Sequence, residues 1–242
     1  YAMSRNINRN KTFDIKHFSL SNDISAMKIS TDGVLLGAWT DVLNKKQILD
    51  VGTGTGLIAL MLAQRCDNAL ITAIDIDENA FREATLNVEK SPWKDRVNVQ
   101  HCDFKQFSSD EKFDLIVSNP PYFNNGIKAP DRSRATARHD DTLEYLDIIS
   151  AAKSLLTENG SISLIAPADR LDDISSDATV NGFKINKITT IFNKPNSRPI
   201  RILIELGKEE QNSVSDTLYI RNEDNLYSQQ YKTLTEDFYI NF

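Results

Sequence analysis

The chain has 242 residues, 40% of them hydrophobic, which is enough to bury a core without covalent staples. Two cysteines, Cys66 and Cys102, exclude a disulfide framework and fit a reducing cytoplasm. No apolar run reaches membrane-spanning length, and a net charge of −6 argues against nucleic-acid binding by bulk charge.

Residues 1–45 show no core strand and are expected to wrap one edge of a sheet. Within them TDGVLLGAW reads locally as an Asp-Gly turn followed by buried leucines. From residue 46 strands and helices alternate. KQILDVG is a short buried strand ending in glycines, and GLIALMLAQR has helical length and spacing. ALITAID is a second strand ending in an acid. ENAFREATLNVEK is a helix with Asp77 as its N-cap. RVNVQHCD is a third strand, and KFDLIV a fourth that stops at SNPPY, because consecutive prolines neither continue a central strand nor enter a helix interior. TLEYLDIISAAKSLL is amphipathic, ended by Asn159-Gly160, and SISLIAP follows as a strand. Residues 169–180 form a weak helix. FKINKITTIF and RPIRILIEL are two long strands joined by NKPNS, expected as an antiparallel pair at one edge. TLYIRN and a helix in SQQYKTLTEDFYI, apolar at Tyr231, Leu234 and Phe238, complete the chain. Alternating strands and helices predict an α/β, Rossmann-like domain with helices on both faces of a mostly parallel sheet. The expected organisation is one domain over 1–242, with a core at 46–206 and an appendage at 207–242.

The loop D-x-G-x-G-x-G carries Asp50, Gly52, Gly54 and Gly56 between the first strand and the first helix. Glycines there permit a tight turn and close backbone approach by a ligand at a helix N-terminus. The spacing is not the G-x-G-x-x-G of dinucleotide binders. Asp75 ends the second strand, where a carboxylate can accept from both hydroxyls of a ribose. Asp103 ends the third, where it can accept from an adenine amino group. Singly, each acid is an ordinary cap or turn residue. Three acids ending successive strands behind a glycine loop define a ligand site.

Charge is unevenly distributed. Segments 1–18, 128–139 and 184–201 carry +3, +3 and +5 in an otherwise acidic chain. They are candidate phosphate contacts if folding gathers them, through Lys11, Lys16, Arg132, Arg134, Arg138, Lys194 and Arg198. His17, His101 and His139 show no metal-ligand spacing, so no metal is expected.

DVGTGTG and AIDID resemble the first and second motifs of class I S-adenosylmethionine-dependent methyltransferases, and the strand-helix string from 46 to 206 is similar to that family's seven-stranded sheet with an antiparallel last strand. The resemblance implies S-adenosyl-L-methionine as cofactor. NPPY resembles the fourth motif of the amino-methyltransferases. Their target, a planar amine with a delocalised lone pair, must pyramidalise to attack a methyl group. Asn119 can accept one N–H through its side chain, Pro120 another through its main-chain carbonyl, and Tyr122 can stack on a base. The motif serves adenine N6, guanine N2 and glutamine N5 alike. TDGVLLGAW, NVEKSPWKDRV and YSQQYKTLTEDFY together resemble a narrower group, the bacterial tRNA1(Val) adenine-37 N6-methyltransferases, from about Phe13 to the C-terminus. That resemblance implies a valine tRNA as partner, with the target base taken out of the loop stack. It also implies that the TDG-x-LLG stretch lies near the methionine end of the cofactor, which makes Thr31, Asp32 and Leu36 secondary candidates. A cytoplasmic monomer is the default. Ribosomal RNA, or a glutamine in a protein release factor, is the alternative substrate. The release-factor enzymes usually carry a helical domain ahead of the glycine loop, and 49 residues before Asp50 leave little room for one. A nicotinamide-dependent oxidoreductase is the distant alternative, opposed by the loop spacing, Asp103 and NPPY.

Overall fold

The computed structural model describes residues 12–25, 29–121, 143–208 and 213–242. Eight strands form one sheet in the order β10-β8-β9-β7-β6-β3-β4-β5. They are β3 (Gln47–Val51), β4 (Leu70–Asp75), β5 (Val97–His101), β6 (Phe113–Ser118), β7 (Leu156–Pro167), β8 (Lys184–Phe192), β9 (Pro199–Gly207) and β10 (Val214–Tyr219). A separate hairpin pairs β1 (Thr12–Ile15) with β2 (Phe18–Ser21). The helices are α1 (Thr31–Trp39), α2 (Leu57–Arg65), α3 (Glu78–Glu89), α4 (Tyr145–Leu155), α5 (Leu171–Val180) and α6 (Gln229–Thr235).

All pairings in the large sheet are parallel except those of β9, which runs antiparallel to both β7 and β8. The expected antiparallel pair forms as β8 with β9, β9 lying between β7 and β8, but the pair does not take the edge itself. Ile202, Leu203, Ile204 and Leu206 are all buried, so consecutive residues on both faces of β9 need cover. The edge goes to β10, whose first four residues are exposed. The 207–242 segment thus adds an eighth strand to the seven anticipated.

Two apolar layers sandwich the sheet. One joins α1, α2 and Val88 of α3 to the β1–β2 hairpin, Tyr231 and Phe238. The other joins Tyr145, Ile148, Ile149 and Ala152 of α4 to Ile174 and Ala178 of α5. TDGVLLGAW is helix α1, not a turn, and Gly33 to Trp39 are all buried. Its close approach to α2 requires Gly37, where a Cβ would lie 2.8 Å from Met61 Sδ. β7 starts at Leu156, five residues before the expected strand, and takes Asn159-Gly160 into an irregular register against β6. Gly160 fits there because a Cβ would meet Phe113 O at 3.0 Å.

β3 is flanked by β4 and β6, and the chain winds outward from it in both directions. This reversal opens a crevice at the carboxyl ends of β3 and β6, the usual ligand position in an open α/β sheet.

Candidate active site

The crevice holds a cleft of about 270 Å³. The loop after β3 forms its floor. Gly52, Gly54 and Gly56 all take positive φ, at 71°, 59° and 82°. Gly54 faces open space, with no atom within 4 Å of where a Cβ would sit. Its backbone there is accessible to a ligand. Gly56 starts α2 and packs against Ala84 of α3.

Asp50 shapes this loop from beneath. It is fully buried, and its Oδ2 accepts from Thr53 Oγ1 at 2.6 Å and from the Ala59 amide at 3.2 Å. Oδ1 has no partner among the described residues. Burial pushes its carboxyl up to about 7, against the opposing pull of those two hydrogen bonds. Asp50 does not line the cleft, and its hydrogen bonds to Thr53 and Ala59 hold the loop from beneath.

Asp75 and Asp103 line the cleft, and both also cap backbone. Asp75 Oδ2 accepts from Gly54 N at 2.8 Å and Oδ1 from Asp77 N at 2.9 Å. Each oxygen keeps a second lone pair for a ligand hydroxyl. Burial raises the Asp75 pKa. Asp103 Oδ1 accepts from Lys105 N at 2.9 Å at the start of a short 3-10 turn. The Cys102 amide donates to Asp75 O at 3.0 Å and so ties the two strand ends together.

Asn119 lines the opposite wall, directly after β6. Ser118, beside it, is buried and donates through Oγ to Val51 O at 2.7 Å, locking the end of β6 to the start of the glycine loop. Pro121 also lines the cleft, whereas Pro120 is buried and is not on its wall. Tyr122 lies outside the described residues, as do Lys11, Arg132, Arg134, Arg138 and His139.

Thr31 is not on the cleft wall; Ile29, Ser30 and Gly33 are. Ser30 caps α1 by accepting from Gly33 N at 3.2 Å. Asp32 instead binds Arg201, Nε to Oδ2 at 2.7 Å, and Leu36 is fully buried in the core. Lys16 sits exposed on the β1–β2 turn, whereas Lys194 and Arg198 sit exposed on the β8–β9 turn. His101 stacks on Phe81 at 5.6 Å, and no metal-holding group of side chains occurs among the described residues. Apolar walls complete the cleft: Leu57, Ile58, Ile76, Ala80, Phe104 and Leu143. Of these, Ile76 carries a signal readable in sequence, an aliphatic residue between Asp75 and Asp77.

A glycine floor open to the backbone, two carboxylates at successive strand ends, apolar walls and an amide across from them suit an adenosine carrying a polar amino-acid tail. The fold and cleft define a class I methyltransferase domain, and the family model of the methyltransferase small domain matches residues 24–171. Among solved structures, a predicted O-methyltransferase from Agrobacterium tumefaciens has a TM-score of 0.66 at 19% identity, covering 86% of this chain and 96% of its own. A putative RNA methyltransferase from Pyrococcus horikoshii has a TM-score of 0.53 at 17% identity, covering 78% and 88%. Sequence relatives are far nearer. A tRNA1(Val) (adenine(37)-N6)-methyltransferase of Phocaeicola vulgatus is 45% identical, covering 96% of this chain and 99% of its own. One of Vibrio vulnificus is 39% identical, covering 96% and 97%. The chain belongs to the family of tRNA1(Val) (adenine(37)-N6)-methyltransferases.

Proposed function

We propose that this protein transfers a methyl group from S-adenosyl-L-methionine to the exocyclic N6 of adenine 37, next to the anticodon of tRNA1(Val). The observation that carries this reading is Asn119, held by the locked end of β6 on the wall of the glycine-loop cleft. When bound, the cofactor supplies an electrophilic methyl on a sulfonium. Asp75 would bind the ribose hydroxyls, Asp103 the adenine amino group, and Ile76 with Phe104 the purine faces. Gly52 and Gly54 let the backbone meet the amino-acid tail.

On the substrate side, the Asn119 carbonyl and the Pro120 carbonyl each accept one N–H of the target amine. With both N–H bonds engaged, the lone pair would be free to attack the methyl that the cofactor would supply, with its sulfur as leaving group. The methylated amine is acidic and gives its extra proton to solvent, so no strong base is needed. Positioning supplies much of the rate. Tyr122 stacks on the flipped base, and Arg132, Arg134 and Arg138 bind RNA phosphates. Reversing those three arginines to glutamate abolishes tRNA binding and spares cofactor binding, measured separately. The protein acts as a cytoplasmic monomer. No helix among the described residues is long and apolar enough to cross a membrane.

The test is methyl transfer from labelled S-adenosylmethionine into total tRNA from a strain lacking this protein. The expected product is N6-methyladenosine at position 37 of tRNA1(Val). Transfer into ribosomal RNA or a release factor instead overturns the substrate and keeps the chemistry.

A further inference from the structure

β6, β8 and β10 run parallel, so their carboxyl ends share one rim of the sheet. β9 begins on the same rim, with Arg201 opposite Pro167 at the end of β7. Beyond β10 the chain makes a small hairpin closed by the Arg221–Tyr227 bridge. The Ile220 and Arg221 amides donate to Phe192 O and Asn193 O, both at 2.9 Å, and so fasten this hairpin to the β8–β9 turn.

The two features present cations together. Lys194 and Arg198 are exposed on the turn. Arg221 lies 4.6 Å over the Tyr227 ring and donates to Asn225 O at 2.6 Å. Tyr227 in turn stacks on Tyr231, with centroids 5.1 Å apart. No acid pairs with Lys194, Arg198 or Arg221 among the described residues. Glu223 and Asp224 occupy the hairpin tip, within the turn closed by Asn225 N to Asn222 O. A guanidinium held by a ring and a carbonyl has already given up much of its rotamer freedom, and its planar fork matches a phosphate.

We infer that this rim, built from Lys194, Arg198 and the Arg221–Tyr227 stack, binds the phosphate backbone of the tRNA stem; the inference rests on the tRNA reading above. Four strand spacings separate β6 from β10, roughly 19 Å. The rim therefore lies beyond reach of the target base and suits the helical stem beside its loop.

The test is binding of tRNA1(Val) to the full chain across a salt series, with kcat and cofactor affinity measured alongside. Arg221→Glu and the double variant Lys194→Glu/Arg198→Glu are each expected to weaken tRNA binding at least tenfold at about 0.1 M salt. Their salt dependence becomes less steep by about one unit for each phosphate no longer neutralised. kcat at saturating tRNA and cofactor affinity stay at the wild-type level. Arg221→Lys keeps the charge without the fork, and is expected to bind between wild type and Arg221→Glu. If Arg221→Glu melts early, the double variant on the exposed turn decides alone. Wild-type affinity in the double variant overturns the rim while leaving the methyltransferase reading intact. A wild-type protein that methylates no tRNA overturns both.

Discussion

On the β3–β5 side of the site, every strand-end carboxylate is built into the backbone. Asp50 is tied to Thr53 and Ala59, Asp75 to Gly54 and Asp77, and Asp103 to Lys105. On the β8–β10 side, Lys194 and Arg198 stand exposed on a turn, and Arg221 is held by one ring and one carbonyl. The contrast matches the ligands proposed for the two sides. A small cofactor is recognised by groups fixed before it arrives, because each immobilised rotamer costs affinity. A polyanion is recognised by charge at longer range and tolerates mobile side chains. Asn119 stands at the boundary, on the cleft wall directly after a strand end locked like the first side.

The largest effect is expected there. Asn119→Ala should lower kcat by ~10²-fold or more, the usual cost of removing one polarising group, with cofactor affinity nearly unchanged in calorimetry. Equal losses in both would dissolve the division between the two sides. Asp75→Ala should do the converse. Losing charged hydrogen bonds worth about 1.5–3 kcal/mol raises the cofactor Kd some tenfold to a hundredfold, while kcat at saturation is comparatively spared.

Two stability tests probe how rigid the cofactor side is, and they have opposite signs in pH. Glu83 of α3 accepts from the Asp23, Ile24 and Ser25 amides and pins the chain leading to α1. Burial pushes its pKa up, but the amides more than offset this and hold it below the ordinary value. The stability it adds is present above the usual glutamate range and is lost as pH falls through the lowered pKa. Glu83→Gln should cost about 1–3 kcal/mol near neutral pH in denaturant melts, with the deficit shrinking in acid. Asp50 runs the other way. Its raised pKa, about 7, means the fold binds its proton more tightly than the unfolded chain does. Its contribution is greatest in acid and decays as pH climbs from the normal carboxylate range through 7. The melting temperature of the wild type should therefore fall between pH 5 and 8 relative to Asp50→Asn, and parallel curves would remove Asp50 as the cause. The smallest effect is expected on the open side. Lys194→Glu alone should weaken tRNA binding a few-fold at low salt and leave the unfolding free energy within about 0.5 kcal/mol of wild type.

The N-terminal region shows where sequence reading stops. α1 is buried on nearly every side, from Gly33 to Trp39, so it lacks the one-sided periodicity that announces a surface helix. Its capping Ser30 lines the cleft only because α1 packs on α2 at the mouth of the glycine loop. Beside it, Thr31 is exposed, and Asp32 pairs with Arg201 some 170 residues away. Nothing local in TDGVLLGAW distinguishes these roles.

The sequence by itself determined the parts whose cause is local. Strand and helix periods, the glycine turn after β3, the acids that end β4 and β5, and the proline stop after β6 all follow from a few neighbouring residues and their backbone preferences. Only the tertiary structure decided that β9 lies between β7 and β8, that β10 takes the edge, that Asp50 works beneath the loop while Asp75 faces the cleft, and that Arg221 joins Lys194 and Arg198 on one rim. Those outcomes depend on which apolar faces must be covered from both sides and on pairings between residues far apart in the chain, and no short window of residues contains that information.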